Sequence, residues 1–241
     1  MNVELFGHTV FHLPKRVNGT EFGKRVNTYD SLVVGGHSGL VAETAGRTCF
    51  DSFHLPNPAT STNAGYLANI QRQHHDSVME HGMATFMVTG VSRSLLMEFR
   101  THRHLTFSAR STRYVDERDA QMVVPPALQP HLDRPLGDSD FSAGEEIDDL
   151  MGHATSLYER VVEFLMADGA GRKEAREAAR EFLPGATVTE FVVSGNHRAW
   201  REVLPKRYAD GAAKEIRALA KELLRQLKEL EPAIYQDVEV P

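Results

Sequence analysis

One cysteine, Cys49, is all the thiol chemistry this chain has. A single thiol cannot close an intramolecular disulfide or make a cysteine-rich zinc site. No motif surrounds it, so Cys49 is expected to be a small buried apolar residue and not a nucleophile. Long apolar runs are missing too, and nothing approaches the ~18 residues of a membrane-spanning helix. The opening residues Met1-Asn2-Val3-Glu4-Leu5 lack the charged-then-apolar order of a signal peptide, which points to a cytoplasmic protein. There is no basic excess: the formal net charge is −6 over 241 residues. That disfavours tracking a nucleic-acid backbone and leaves small anionic ligands for any local basic cluster. Neither a His-Glu-x-x-His pattern nor a Gly-x-Gly-x-x-Gly fingerprint occurs, and no internal repeat or low-complexity segment is present.

What is present is a mixture of periodicities. Residues 3–10 read as an opening strand, 27–36 as turn-rich, 38–47 as a short helix, 56–63 as a loop and 64–75 as a weak helix. Thr and Val content with partial alternation predicts a strand over 83–91. Ser92 is placed to N-cap a helix carrying Leu95, Leu96 and Phe99 inward, which delivers His102 and Arg103 at its C-terminal end. The proline-rich stretch 116–142 reads as a long loop. Ser142 and Glu145 have capping-box spacing ahead of a helix with apolar steps from Ile147 to Leu165. A second helix is predicted over 172–182, stopped by Pro184, then a strand over 188–193 and a helix from Asn196. A last helix carries an apolar stripe from Ile216 to Leu230. The sum is an α+β chain with helices concentrated late.

Chemistry is densest between Glu98 and Tyr114. Arg100, His102, Arg103, Arg110 and Arg113 lie there among the hydroxyls of Thr101, Thr106, Ser108, Ser111 and Thr112. Cations and hydroxyl donors at this density suit a ligand with phosphates and flat polar rings. Downstream, Arg180 precedes Leu183-Pro184, Asn196-His197-Arg198 follows sixteen residues on, and Arg207 eleven after Asn196. Helix-surface pairing, such as Arg198 with Glu202, accounts for single pairs of this set but not for the whole spacing. His74, His75 and His81 do not have the spacing a metal site demands, so no metal is expected. Trp200 is expected to serve packing.

Thr101-His102-Arg103, seven residues, then Ser111 resembles the signature of the flavin-dependent thymidylate synthases, which reads Arg-His-Arg, seven residues, Ser. The flanks fit as well: Ser77-Val78-Met79-Glu80-His81 resembles the family's Ser-x-x-Glu-His element, and Gly90-Val91-Ser92-Arg93 its entry into the motif helix. Glu215-Ile216-Arg217 matches the family's Glu-Ile-Arg run. The resemblance covers about residues 60–220, with further support from Arg47-Thr48-Cys49-Phe50.

That resemblance implies a single domain over residues 1–241, with a central, mostly antiparallel sheet flanked by helices. It implies reductive methylation of dUMP at C5, with methylenetetrahydrofolate as carbon donor and NADPH as reductant through FAD. Arg207 and Ser111 form the implied catalytic set, Arg207 stabilising charge on the pyrimidine. His81, His102, Arg103, Asn196 and Arg198 are the implied flavin ligands. Glu98, Ser111, Arg113, Arg180 and Arg207 are the implied nucleotide ligands. A homotetramer with shared active sites is implied too. The chain departs from the pattern in several places. Thr101 replaces the first Arg, Glu98 stands where the family has Gln, Ser108 and Ala109 stand inside the motif for Asn and Glu, and Glu202 replaces Asn. Loss of the cation at Thr101 is expected to weaken flavin or nucleotide binding. A carboxylate at Glu98 would repel phosphate unless paired with Arg or His. Such changes also suit a related task, hydroxymethylation of the nucleotide or action on dCMP, or a flavin- and nucleotide-binding protein without catalysis.

Overall fold

The two β-branched runs predicted over 83–91 and 188–193 lie side by side at the centre of the molecule. The structure is a computed structural model, and it describes residues 1–12, 15–17, 20–21, 37–53 and 57–239. The turn-rich reading of 27–36 falls outside the described residues. In chain order the elements are β1 (Asn2–His8), a short hairpin of β2 (Arg16–Val17) and β3 (Thr20–Glu21), α1 (His37–Phe50), α2 (Asn63–Arg72) and β4 (Met83–Ser92). Then come α3 (Arg93–Phe99), β5 (Leu105–Ala109), α4 (Ala143–Ala167), α5 (Arg172–Ala179), β6 (Val188–Asn196), α6 (His197–Tyr208) and α7 (Lys214–Leu230).

Among the described residues the main sheet has four strands in the order β1-β4-β6-β5, every pair antiparallel. The side-chain period of two sends Ala84, Phe86 and Val88 of β4, and Phe191 and Val193 of β6, into the interior. Helices α2, α3, α6 and α7 add Leu67, Ile70, Leu95, Phe99, Trp200, Leu204 and the α7 stripe to the same core. The opposite face carries hydroxyls, with Thr85 and Ser194 joined across the strands at 2.8 Å. At Gly195 a Cβ would fall 2.4 Å from the Leu105 side-chain tip and 3.2 Å from the Trp200 ring, so the missing side chain lets β5 and α6 close on β6 without displacing Leu105. Gly90, at φ +67°, takes up the register shift between Thr89 and Val91.

A second, smaller core joins α4 to α5 through Met151, Tyr158, Val162, Ala175, Ala179 and Leu183. The capping box is present: Ser142 Oγ accepts from Glu145 N–H, and a Glu145 carboxylate oxygen accepts from Ser142 N–H.

Several boundaries differ from the sequence reading. The helix at 38–47 runs on to Phe50, and 58–60 forms a 3-10 turn inside the predicted loop. The helix read over 172–182 is α5 followed by a 3-10 turn at Arg180–Phe182. Strand β6 extends past Val193 to Asn196 because it pairs on both sides. Strand β5 was not anticipated: its alternation, Leu105 buried and Thr106 exposed, lies within the cluster read for its ligand chemistry. Cys49 is exposed, contrary to expectation, because it lies in the last turn of α1, where Thr48, Cys49 and Phe50 are all exposed although Ala42 and Gly46 on the same face are buried. No helix among the described residues is long and apolar enough to cross a membrane.

Candidate active site

Ser92 closes β4 and opens α3. Its Oγ accepts from Leu95 N–H at 3.0 Å and donates to Glu215 Oε2 at 2.7 Å, while its own N–H donates to Glu215 Oε1 at 2.8 Å. The first turn of α7 therefore anchors the start of the motif helix. Within the two turns of α3, Leu95, Leu96 and Phe99 are buried and Glu98 sits half-exposed to one side. The chain leaves the helix at Arg100 and lays Thr101 and His102 beside Arg207, in the last turn of α6.

Arg207 is held on every nitrogen. Its Nε–H donates to His102 Nε2 at 2.6 Å, one terminal nitrogen donates to Glu98 Oε1, and the other donates to the Glu98 carbonyl at 3.3 Å and to Thr101 Oγ1 at 3.2 Å. The Thr101 hydroxyl in turn donates to the Glu98 carbonyl at 2.8 Å. Because His102 Nε2 is an acceptor here, the ring is neutral with its proton on Nδ1. Its surroundings favour that state: burial, then the charges of Arg207 and Lys206, lower its pKa against the opposing pull of Glu202. Arg207 is 17% exposed in its side chain, so this pair is screened less than a surface ion pair.

The other implied nucleotide ligands gather elsewhere, around α5. Arg180 donates to Thr112 Oγ1 at 3.4 Å and pairs with Glu181 at 3.1 Å, and Arg113 pairs with Glu177 at 3.1 Å. Arg176 fastens the same loop through the Tyr114 carbonyl at 2.6 Å and Asp116 at 2.8 Å. Ser111 lies half-buried at its start, its carbonyl accepting from Tyr114 and Val115 N–H. The structure thus brings Ser111, Arg113 and Arg180 together, and Glu98, His102 and Arg207 together, with no hydrogen bond between the two groups among the described residues.

A third group carries His81, Asn196 and Arg198. Asn196 N-caps α6, its side-chain oxygen accepting from Ala199 N–H at 2.8 Å. Arg198 pairs with Glu80 at 2.5 Å and not with Glu202, which Lys206 holds at 2.8 Å. His81 is exposed and, with Glu80, lines an open cleft of about 650 Å³. Val41, Ala45, Val78 and Phe11 give that cleft apolar walls, and Thr44, Thr48 and Cys49 give it polar points. Arg103 is exposed, with no side-chain hydrogen bond among the described residues. Sequence reasoning missed two members of the arrangement. Thr101 was read as a loss but serves as an Arg207 partner, and the anchoring role of Glu215 was hidden behind its family match. No group of three or more His, Cys, Asp or Glu that could hold a metal occurs among the described residues.

Residues 36–233 match the family model described as thymidylate synthase complementing protein. A probable flavin-dependent thymidylate synthase of Mycobacterium phage L5 is 48% identical over 82% of this chain and 79% of its own. One of Mycobacterium phage D29 is 43% identical over 99% and 96%. The flavin-dependent thymidylate synthase of Mycobacterium tuberculosis is 42% identical over 83% and 79%. In fold, the chain is similar to thymidylate synthase X of Helicobacter pylori, solved with FAD and dUMP, with a TM-score of 0.63 over 98% of both chains at 21% identity.

Proposed function

The chain belongs to the family of thymidylate synthase complementing proteins, and from that premise we propose that it is a flavin-dependent thymidylate synthase, converting dUMP to dTMP. The observation that carries the reading at the level of the site is the guanidinium of Arg207, fixed against Glu98, Thr101 and His102 by a motif that lies about a hundred residues away in the chain.

The reaction has to make uracil C5 nucleophilic. Negative charge builds on the ring carbonyls as C5 attacks the carbon supplied by methylenetetrahydrofolate. A preorganised N–H donor aimed at such a carbonyl stabilises that charge, and Arg207 is the donor this reading assigns. Arg180, with Ser111 and Arg113, takes the phosphate, where a guanidinium can fix orientation as well as affinity. The reading includes a homotetramer in which copies complete each other's sites, and the separation of Arg207 from the α5 group, with no hydrogen bond between them among the described residues, is in keeping with it.

FAD, when bound, supplies the redox chemistry, with NADPH as reductant. The residues fit such a group. The cleft beside His81 has apolar walls for a flat ring system, and the Thr44 hydroxyl in its wall is buried without a hydrogen-bond partner among the described residues. Arg198, and the Asn196 amide nitrogen not used in capping, lie at the start of α6, while His102 and Arg103 would approach from the motif. Glu98 and Glu202, which could have read a cytosine amino group, are each paired through one oxygen, with Arg207 and Lys206, which favours uracil over cytosine. The enzyme is read as a single cytoplasmic domain over residues 1–241.

The test is anaerobic incubation of the purified protein with FAD, NADPH, methylenetetrahydrofolate and equal dUMP and dCMP, with product masses recorded. dTMP as the product is expected. A hydroxymethyl product, a modified dCMP, or bound nucleotide with no turnover would overturn the reading.

A further inference from the structure

A guanidinium has five N–H donors. Arg207 makes four hydrogen bonds inside the chain, to His102 Nε2, Glu98 Oε1, the Glu98 carbonyl and Thr101 Oγ1, so each of its three nitrogens already has an internal partner. A phosphate is normally gripped by two parallel N–H groups on one edge of the guanidinium. Here both edges of the guanidinium are built from nitrogens that already donate inside the chain. What stays uncommitted suits a single carbonyl oxygen better than a two-point phosphate grip. Charge acts in the same direction. The Glu98 carboxylate neutralises Arg207 at contact distance, and a dianion approaching that pair meets no net attraction.

The α5 group offers the opposite terms. Arg180 shares its charge with Glu181, a sequence neighbour that is 67% exposed, and with the neutral Thr112 hydroxyl. A pair of that kind contributes little and gives way readily to a stronger anion.

We propose that Glu98 is a positioning residue that determines which end of the nucleotide Arg207 receives: by occupying the guanidinium from within the chain, it reserves Arg207 for an uncharged pyrimidine carbonyl and turns the phosphate away. This rests on the reading of Arg207 as a nucleotide ligand. The carboxylate at position 98 is then a working part of the site, and Thr101 belongs with it as the neutral member of the cradle.

The test uses the FAD-loaded protein with inorganic phosphate competing against dUMP. Glu98→Gln keeps an acceptor oxygen at the same reach and removes the charge. Phosphate is expected to become a better competitor by about 10-fold, as removal of a like charge from an anion's path allows. The same variant is expected to lower kcat more than it raises KM, because Arg207 then accepts unproductive anions. An unchanged phosphate competition and kcat in Glu98→Gln would overturn the proposal. So would a wild-type complex whose dUMP phosphate lies on Arg207, a measurement that does not depend on the variant folding. Arg207→Ala separates the two ideas. Lost turnover there beside an unaffected Glu98→Gln removes only the role of Glu98, whereas retained turnover removes the assignment of Arg207.

Discussion

Arg207 and Arg180 carry the same guanidinium into contrasting settings. Arg207 stands where α3 and α6 meet above the sheet core, held by partners roughly 105 residues away in sequence. Arg180 stands at the end of α5, beside the smaller α4–α5 core, and its charged partner is the next residue in the chain. The first arrangement exists only when β4, β6 and the helices behind them are assembled. The second also joins distant segments, at Thr112, but its ion pair is local and its carboxylate faces solvent. A fixed donor suits the charge that appears briefly on a reacting ring, and an adaptable one suits a phosphate that must be caught and released.

The comparison can be strained from the core outward. Trp200 is fully buried, edge-on to Phe86 at 5.6 Å, and its indole N–H donates to the Ala84 carbonyl at 3.3 Å. Trp200→Ala is expected to cost about 3–5 kcal/mol, measured by denaturant unfolding followed by circular dichroism. A loss below about 1 kcal/mol would mean the sheet core does not hold the Arg207 platform. Next come the arginines themselves. Arg207→Ala should lower kcat by about 10²–10³. Arg180→Ala should act mainly by raising the dUMP KM, by about 10-fold. Steady-state kinetics with the two effects exchanged would reverse the assignment.

Acid should weaken the two regions unequally. Burial pushes the His197 pKa down to about 4, with His8 adding a smaller push, so the ring is neutral in the folded protein. A histidine depressed in this way contributes stability that is complete above its unfolded pKa near 6.5 and is lost as pH falls from there through about 4. The loss is about 3 kcal/mol over that window. Unfolding followed by Trp200 fluorescence should show it, and His197→Asn should flatten it. His102 shifts in the same direction, so the Arg207 cradle holds above pH ~6.5 and loosens below its own lowered pKa, as the ring gains the proton that Nε2 must lack to accept from Arg207. The smallest effect expected is on the α4–α5 side. Ser142→Ala removes the capping box and should cost about 1 kcal/mol, read as a modest drop in Tm with dUMP kinetics unchanged.

The elements that were legible beforehand carried their own signals. Ser142 with Glu145, Ser92 ahead of Leu95, and the stripe from Ile216 to Leu230 are patterns of one helix acting alone, and each appears as read. Strand β5 was not legible, because five residues dense in hydroxyls gain strand character only by pairing with β6. The exposure of Cys49 was not legible because composition says how often a thiol is buried and not that the last turn of α1 runs past the core. The pairing of Arg198 also went to Glu80 across the fold, and not to the helical neighbour at Glu202.

Local periodicity and capping chemistry are written in short windows of sequence, and with the motif from Thr101 to Ser111 they determined the helices, the central strands and the family. Which acceptors Arg207 would find was decided by the tertiary structure. A guanidinium on α6 meets Glu98, Thr101 and His102 only after the antiparallel pairing of β4 with β6 has set α3 beside α6. That juxtaposition is a property of the closed core, because no short window of sequence contains both sides of it.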